Sequence, residues 1–256
     1  MTSSSGALAR YVSAFRRRVE AMQAAGRDLV DEPGIVGAAG DPVLYDGRLL
    51  VTDDRALDVL VTQLPELRAR VVLVLAAAEA CQEHLAGAAG FHSEPATAMV
   101  LEDLGSVEEI ALPTGLALHP VARDDGDEGV PLAAAAAAAL EADPVNTPAD
   151  TVGDFVPFLR GVPNARFLAA LDRSGTVRAT AGAILHGDVT GVFFVSTDPG
   201  WRGQGVGTAM TAAVLRSAAH DGARRAWLDS STLGLGIYRR LGFTEVSPVT
   251  LFIHDR

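Results

Sequence analysis

The 256 residues carry 21 Lys and Arg against 32 Asp and Glu, a formal charge of −11, so no broad cationic face exists to displace counterions from nucleic acid. Apolar residues make up 48% of the chain and aromatics 5%, which suits a globular core of Ala, Val and Leu. A lone cysteine, Cys81, excludes an internal disulfide, and the six histidines show neither an HExxH pattern nor a Cys/His ligand spacing, so no metal is expected.

The first predicted element is a helix over 7–25, ALARYVSAFRRRVEAMQAA, whose run Arg16, Arg17, Arg18 reads as a solvated face. No apolar segment precedes these basic residues, and the apolar run VVLVLAAA at 71–78 is broken by Glu79. Neither export nor a membrane span is therefore expected, and the cytoplasm is the default location.

The length suits two modest domains. The clearest seam is 122–150, where charge, Gly and Pro bracket seven consecutive alanines, and the division is placed just before it, giving 1–110 and 111–256. Pro131 suits the first turn of the alanine helix, and Asp127 and Glu128 suit its positive end. ARFLAALD and TVRATAGAILHG then read as strands joined by a DRSG turn, and HGD leads into VTGVFFVST; three antiparallel strands are expected. Val206, Met210, Ala213, Val214 and Ala218 recur at helical spacing, with Gly222 just past the helix end. RRAWLDSS reads as a strand, LGIYRR as a short helix stopped by Gly242, and VSPVTLFI as a last strand. Trp201 and Trp227 read as packing residues.

Between the third of those strands and the long helix lies STDPGWRGQGVGTAM, residues 196–210, with Gly203, Gly205 and Gly207 spaced by two. The first amides of a helix lack intrahelical partners, and with the helix dipole they favour an anion, most naturally a phosphate or diphosphate. Glycine lets a ligand reach those amides. Arg202 offers a charge-assisted contact or is simply solvated. A Walker loop is excluded because Val206 stands where lysine is needed. The dinucleotide pattern GxGxxG matches at Gly203 and Gly205 but meets Thr208 at its third glycine, and only Asp229 keeps a nucleotide-binding enzyme open as an alternative.

Arg202, Gly203, Gln204, Gly205, Val206 and Gly207 resemble the phosphate loop of the GCN5-related N-acetyltransferases (GNAT), and GIYRRLGF at 236–243 resembles that family's Tyr-x-x-Leu-Gly-Phe ending. The resemblance covers roughly the last 140 residues. It implies an α/β (α+β) fold, a mixed, mostly antiparallel central sheet flanked by helices. It also implies acetyl-CoA as cosubstrate, with its diphosphate on the amides of 203–208, Thr208 included, and its pantetheine arm along Val195, Ser196 and Thr197. The acceptor would be an amine of a small molecule or peptide, and Tyr238 would supply the proton to the departing thiolate.

The chain departs from better-known members in two places. GVFFVST has no glutamate to act as base, leaving Asp198, Asp229 or a water chain. DSSTLGLG lacks the asparagine often found there. Asp198 reads rather as a cap of the glycine loop. Lack of an obvious base leans toward an easily deprotonated amine, and it keeps open a protein that binds acetyl-CoA without turnover. Ser230, Ser231 and Thr232 have no GxSxG elbow and do not read as a hydrolase site.

The first half carries a possible echo of the second. Residues 70–103 parallel 225–255, with Gly90 and Phe91 matching Gly242 and Phe243 at an offset of 152 residues. Ala86 stands where Tyr238 stands, and TDDRALDVLVTQLPEL at 52–67 replaces the glycine loop. Two related domains are expected, the first without cofactor binding and contributing to an acceptor cleft or a homodimer surface. Chance similarity of two strand–helix–strand units is the alternative.

Overall fold

A computed structural model describes residues 2–24, 28–39, 48–63, 71–122, 127–142, 151–162 and 164–254. Residue 25 of the predicted first helix, 64–67 of the segment at 52–67, and 123–126 and 143–150 of the seam lie outside the described residues.

In chain order the elements are α1 (Thr2–Ala24), β1 (Asp28–Glu32), β2 (Ile35–Ala39), β3 (Arg48–Val51), α2 (Leu57–Gln63), β4 (Val71–Leu75), α3 (Glu79–Gly87) and β5 (Phe91–Leu101). There follow β6 (Leu116–Ala122), β7 (Val130–Pro131), α4 (Leu132–Ala142), α5 (Thr151–Gly161), β8 (Ala165–Asp172), β9 (Val177–His186) and β10 (Val189–Thr197). The chain ends with α6 (Val206–His220), β11 (Arg225–Ser231), α7 (Leu235–Arg240) and β12 (Thr244–His254). Most strand pairs are antiparallel, and the fold is mixed α/β with helices on the sheet. No described helix is long and apolar enough to cross a membrane.

Two units emerge. The first comprises Met1–Val100, Asp229–Leu235 and Thr244–Arg256; the second comprises Leu101–Leu228 and Gly236–Phe243. In the first unit the strand order is β1, β2, β3, β4, β12, β5, with β3 and β4 parallel. All five residues of β4, VVLVL, are buried, as a strand with neighbours on both edges requires. The last strand of the chain lies between β4 and β5, so that Leu251 faces Leu73 on one side and Glu94 on the other. Tyr11, Ala14, Phe15 and Val19 recur at helical spacing and are buried on α1, which packs against β2 and β12. The arginine run of that helix departs from the expected solvated face. Arg18 is only 7% exposed and lies over the Phe15 ring, because the burying stripe sweeps across it, while Arg16 pairs with Asp31.

In the second unit the order is β11, β10, β9, β8, β6, β7. The three strands expected from 165 to 197 are β8, β9 and β10, paired antiparallel. Asp172 closes the first hairpin by accepting from the amides of Ser174 and Thr176. Ala135, Ala136, Ala139 and Ala142 are the buried stripe of α4, and small side chains let this helix approach β9 and β10. Pro131 falls in β7, one residue before α4 rather than in its first turn, since its ring suits the end of a short strand equally well. Helix α6 packs on β8, β9 and β10 and ends as expected at Gly222, where the Ala223 amide donates to Ala218 O at 2.9 Å.

Two glycines predict opposite outcomes. A Cβ on Gly37 would stand 2.4 Å from the Arg48 carbonyl oxygen, so Gly37→Ala forces β2 and β3 apart, whereas a Cβ on Gly87 in α3 meets nothing within 4 Å. Thermal unfolding should show a loss of about 1–3 kcal/mol for Gly37→Ala. Gly87→Ala should be neutral or gain up to about 1 kcal/mol.

Candidate active site

The glycine loop is built on a carboxylate. Asp198 caps the short turn Pro199–Trp201, accepting from the Gly200 amide at 2.8 Å, and Arg178 of β9 donates to it at 2.8 Å and to Asp172 at 2.7 Å. Gly203 and Gly205 then take left-handed φ angles of +73° and +82°, and no atom lies within 4 Å of a Cβ built on either. The backbone conformation needs glycine there, while the space beside it stays open. Gly207 serves packing instead, since its Cβ would stand 2.8 Å from Ile237 Cδ1 of α7. Helix α6 makes its first i−4 bond from Ala209 to Gly205 O at 3.0 Å. The amides of Val206, Gly207 and Thr208 therefore precede the helical ladder, at the positive end of the dipole, where an anion would be held.

Strand β10 prepares a second feature. It pairs with β11 only from Val189 to Gly191, opposite Arg225 to Trp227, and the pairing ends there. The indole of Trp227 fills the space a side chain on Gly191 would need, with ring atoms 3.2 Å from a built Cβ. Trp201, as expected, also packs, its ring 3.6 Å from a Cβ built on Gly115. Beyond Gly191, β10 bulges against β9: Phe193 pairs with Gly182 and Ser196 with Thr180, so two residues on one strand oppose one on the other. Phe194, at the bulge, has φ +61°, rare for an aromatic residue. Val195, Ser196 and Thr197 follow, partly exposed.

The predicted residues of strand, loop and helix come together at the end of β10. Arg202 Nε donates to Thr197 O at 3.0 Å, and Thr197 Oγ1 lies 3.6 Å from a Cβ built on Gly207. A second guanidinium nitrogen of Arg202 donates to Ala142 O, the last residue of α4, at 2.6 Å. The arginine thus clamps two backbone carbonyls. Gln204 reaches back to Gly200 O at 3.2 Å. Arg240 of α7 donates to Thr208 Oγ1 at 3.4 Å, bringing to the start of α6 a cation that sequence reasoning missed. Its only signal is its place between Tyr238 and Gly242.

Tyr238 sits on α7, 8% exposed, its ring edge-on to Phe243 at 5.8 Å. Burial pushes its hydroxyl up to about 12. The phenol stays protonated at neutral pH and is a hydrogen-bond donor rather than a strong acid. Among the described residues nothing hydrogen-bonds to that hydroxyl.

The two carboxylates considered as bases have other employment. The Arg178 guanidinium, helped by the Gly200 amide, holds Asp198 below the usual carboxylate range, which makes it a poor base. Asp229 lies in the first unit, its side chain 6% exposed, accepting from the Tyr11 hydroxyl at 2.5 Å with Arg48 at 3.9 Å. Burial raises its pKa, opposed by Arg48 and Tyr11. Ser230 donates to Ser231 O. Among the described residues no three His, Cys, Asp or Glu side chains converge as metal ligands.

A loop of this geometry, followed by a tyrosine helix, prompts comparison with known proteins, and residues 134–243 match the model of the Acetyltransferase (GNAT) family. Those residues are a GNAT domain. A GNAT protein from Kribbella flavida shares 22% identity, with 92% of this chain and 96% of that one covered and a TM-score of 0.61. A second, from Sphaerobacter thermophilus, shares 17%, covering 93% and 90%, at 0.58. A tandem GNAT protein from the clavulanic acid biosynthesis pathway shares 14%, covering 85% and 77%, at 0.53. These likenesses are of fold. No curated protein matches the sequence. GNAT chemistry is acyl transfer from an acyl-CoA.

Two measurements probe these networks. Asp172 and Asp198 are both held below 3.8 by hydrogen bonds, from Ser174 and Arg178 at the first and Arg178 at the second. Depressed carboxylates stabilise the fold fully above the unfolded value and lose that contribution as pH falls through the folded one. The stability lost in Arg178→Met should therefore be largest near neutrality and shrink progressively as pH falls below about 4, as urea unfolding across pH will show. Separately, Tyr11→Phe strips the buried Asp229 of a donor and should cost about 1–3 kcal/mol in urea unfolding.

Proposed function

We propose that the chain transfers the acetyl group of acetyl-CoA to a primary amine of a small molecule or peptide by direct attack. The observation that carries this reading is the meeting of two backbone surfaces, the edge of β10 from Val195 to Thr197, beyond the end of its pairing with β11 and with the Thr197 carbonyl taken by Arg202, and the first amides of α6, across glycines with open space beside them. Their adjacency, through Thr197 beside Gly207, suits an extended carrier with amides in one part and a diphosphate in another. Val195, Ser196 and Thr197 would pair with the pantetheine amides as a neighbouring strand would. The amides of Gly203 to Thr208 would hold the diphosphate, with Gln204 and Arg202 keeping the loop in shape and Arg240 adding positive charge. Bound there, acetyl-CoA supplies a thioester-activated acetyl group.

The chain's own residues then have limited tasks. Tyr238 donates a hydrogen bond to the sulfur as negative charge develops on it. Neither Asp198 nor Asp229 is free to serve as base, which supports proton loss through water. That route suits an acceptor of low pKa, because neutralising a lysine-like amine at pH 7 costs about 4 to 5 kcal/mol and an α-amine only about 1. Cys81 is fully buried, its thiol pushed up to about 11 by burial, in keeping with a mechanism without an acyl-enzyme. The first half, residues 1–110, is proposed as a related domain that has lost cofactor binding, beside a catalytic 111–256. Its support is that β4, α3 and β5 repeat β11, α7 and β12, with left-handed glycines at Gly90 and Gly242, φ +83° and +88°.

The test is turnover. Wild-type protein should release free CoA from acetyl-CoA when a panel of α-amines and small primary amines is added. Tyr238→Phe should lower kcat about 10- to 100-fold while changing acetyl-CoA affinity little. Binding without CoA release with any amine would favour the non-catalytic alternative. A melting temperature raised by NAD(H) and not by acetyl-CoA would favour the nucleotide enzyme.

A further inference from the structure

The bulge that opens β10 is held by one buried side chain. Thr180 of β9, 0% exposed, stands opposite Ser196 in register, and its hydroxyl donates to the carbonyl of Phe194 at 2.8 Å. The same hydroxyl oxygen lies 2.9 Å from Ser196 Oγ. A hydroxyl has one proton to give. Since Thr180 spends its own on Phe194 O, Ser196 is the donor in the second bond, and the chain runs Ser196 to Thr180 to Phe194.

Three consequences follow from that direction. The left-handed turn at Phe194, costly for a bulky residue, is stabilised at its own carbonyl. The side chains on either side of it lose strand alternation: Phe193 and Phe194, neighbours in sequence, both stack edge-on against Phe167, at 5.6 and 5.7 Å. Gly182, across from Phe193, leaves room for this, its built Cβ standing 3.1 Å from the Phe167 ring. Finally, Ser196 turns its proton inward, so its lone pairs are what it presents to the partly exposed side of the strand.

We propose that Thr180 is a positioning residue for the acyl-CoA site: through Phe194 O and Ser196 Oγ it fixes the bulge and leaves the partly exposed Ser196 a hydrogen-bond acceptor. This rests on the acyl-CoA reading above. A ligand donor, such as a pantetheine amide N–H, is what that acceptor would meet. Thr180→Val keeps shape and volume while deleting the hydroxyl. Thr180→Ser keeps the hydroxyl and loses a methyl.

Acetyl-CoA dissociation constants and kcat should be measured on wild-type, Thr180→Val and Thr180→Ser proteins well below their melting temperatures. The Val variant should bind acetyl-CoA about tenfold or more weakly and turn over more slowly, with Ser within about threefold of wild type, a tenfold loss being the size expected when a buried polar group loses its partner. A merely structural role would lower the melting temperature of the Val variant while leaving affinity and kcat unchanged, and that result overturns the proposal; so does a Ser variant no better than Val. Should Thr180→Val fail to fold, Ser196→Ala serves, with weakened acetyl-CoA binding expected and wild-type binding fatal. If wild-type protein itself does not bind acetyl-CoA, it is the functional reading that fails.

Discussion

A β-strand that parts from its neighbour leaves a row of amides and carbonyls that something must satisfy, and the second unit is organised around that demand. Strand β10 is parallel to β11 for three residue pairs and then, among the described residues, has no strand partner on that side. Trp227 over Gly191 marks where the strands part. The bulge at Phe194 turns the remaining backbone, and the glycine loop carries the chain from this open edge to the uncapped start of α6. Water could satisfy all of these groups. A ligand shaped to do so displaces it with hydrogen bonds already aimed, which is how a static backbone acquires affinity.

The surroundings keep that backbone from relaxing. Arg178 holds the root of the loop through Asp198, Arg202 ties its middle to β10 and to the end of α4, and Ile237 wedges α7 against Gly207. Each of these contacts ends on a backbone group or on a residue that caps one. The first unit shows the same economy in a different place: Tyr11 and Arg48 converge on Asp229, whose burial would be costly if it stood alone. Strand β12, in the same unit, has partners on both edges.

Much of this was legible because it is local. The helical spacing from Val206 to Ala218, the stop at Gly222, the turns at Asp172 and Gly187 and the glycine loop itself are all written within a few residues. The phosphate-loop and Tyr-bearing patterns pointed to the GNAT family that the family model matches. What could not be read depends on register and on partners far away in sequence. Thr180 acquires its role only because Ser196 falls opposite it, and a bulge of one residue decides that. Arg18 looks solvated in a run of three arginines, and only the direction of the buried stripe on α1 makes it otherwise. Asp229 looked like a base because it follows a strand toward the tyrosine helix, whereas Tyr11, 218 residues away, claims it. Likewise nothing in VSPVTLFI announces that it lies between β4 and β5.

The central claim is that the open edge of β10 and the amides of α6 together hold one thioester carrier. A crystal structure of the protein grown with acetyl-CoA examines it most directly. The account predicts the diphosphate on the backbone amides between Gly203 and Thr208 and the pantetheine amides paired with Val195 to Thr197. A carrier bound elsewhere, or a diphosphate held only by side chains with the strand edge left to water, would contradict it.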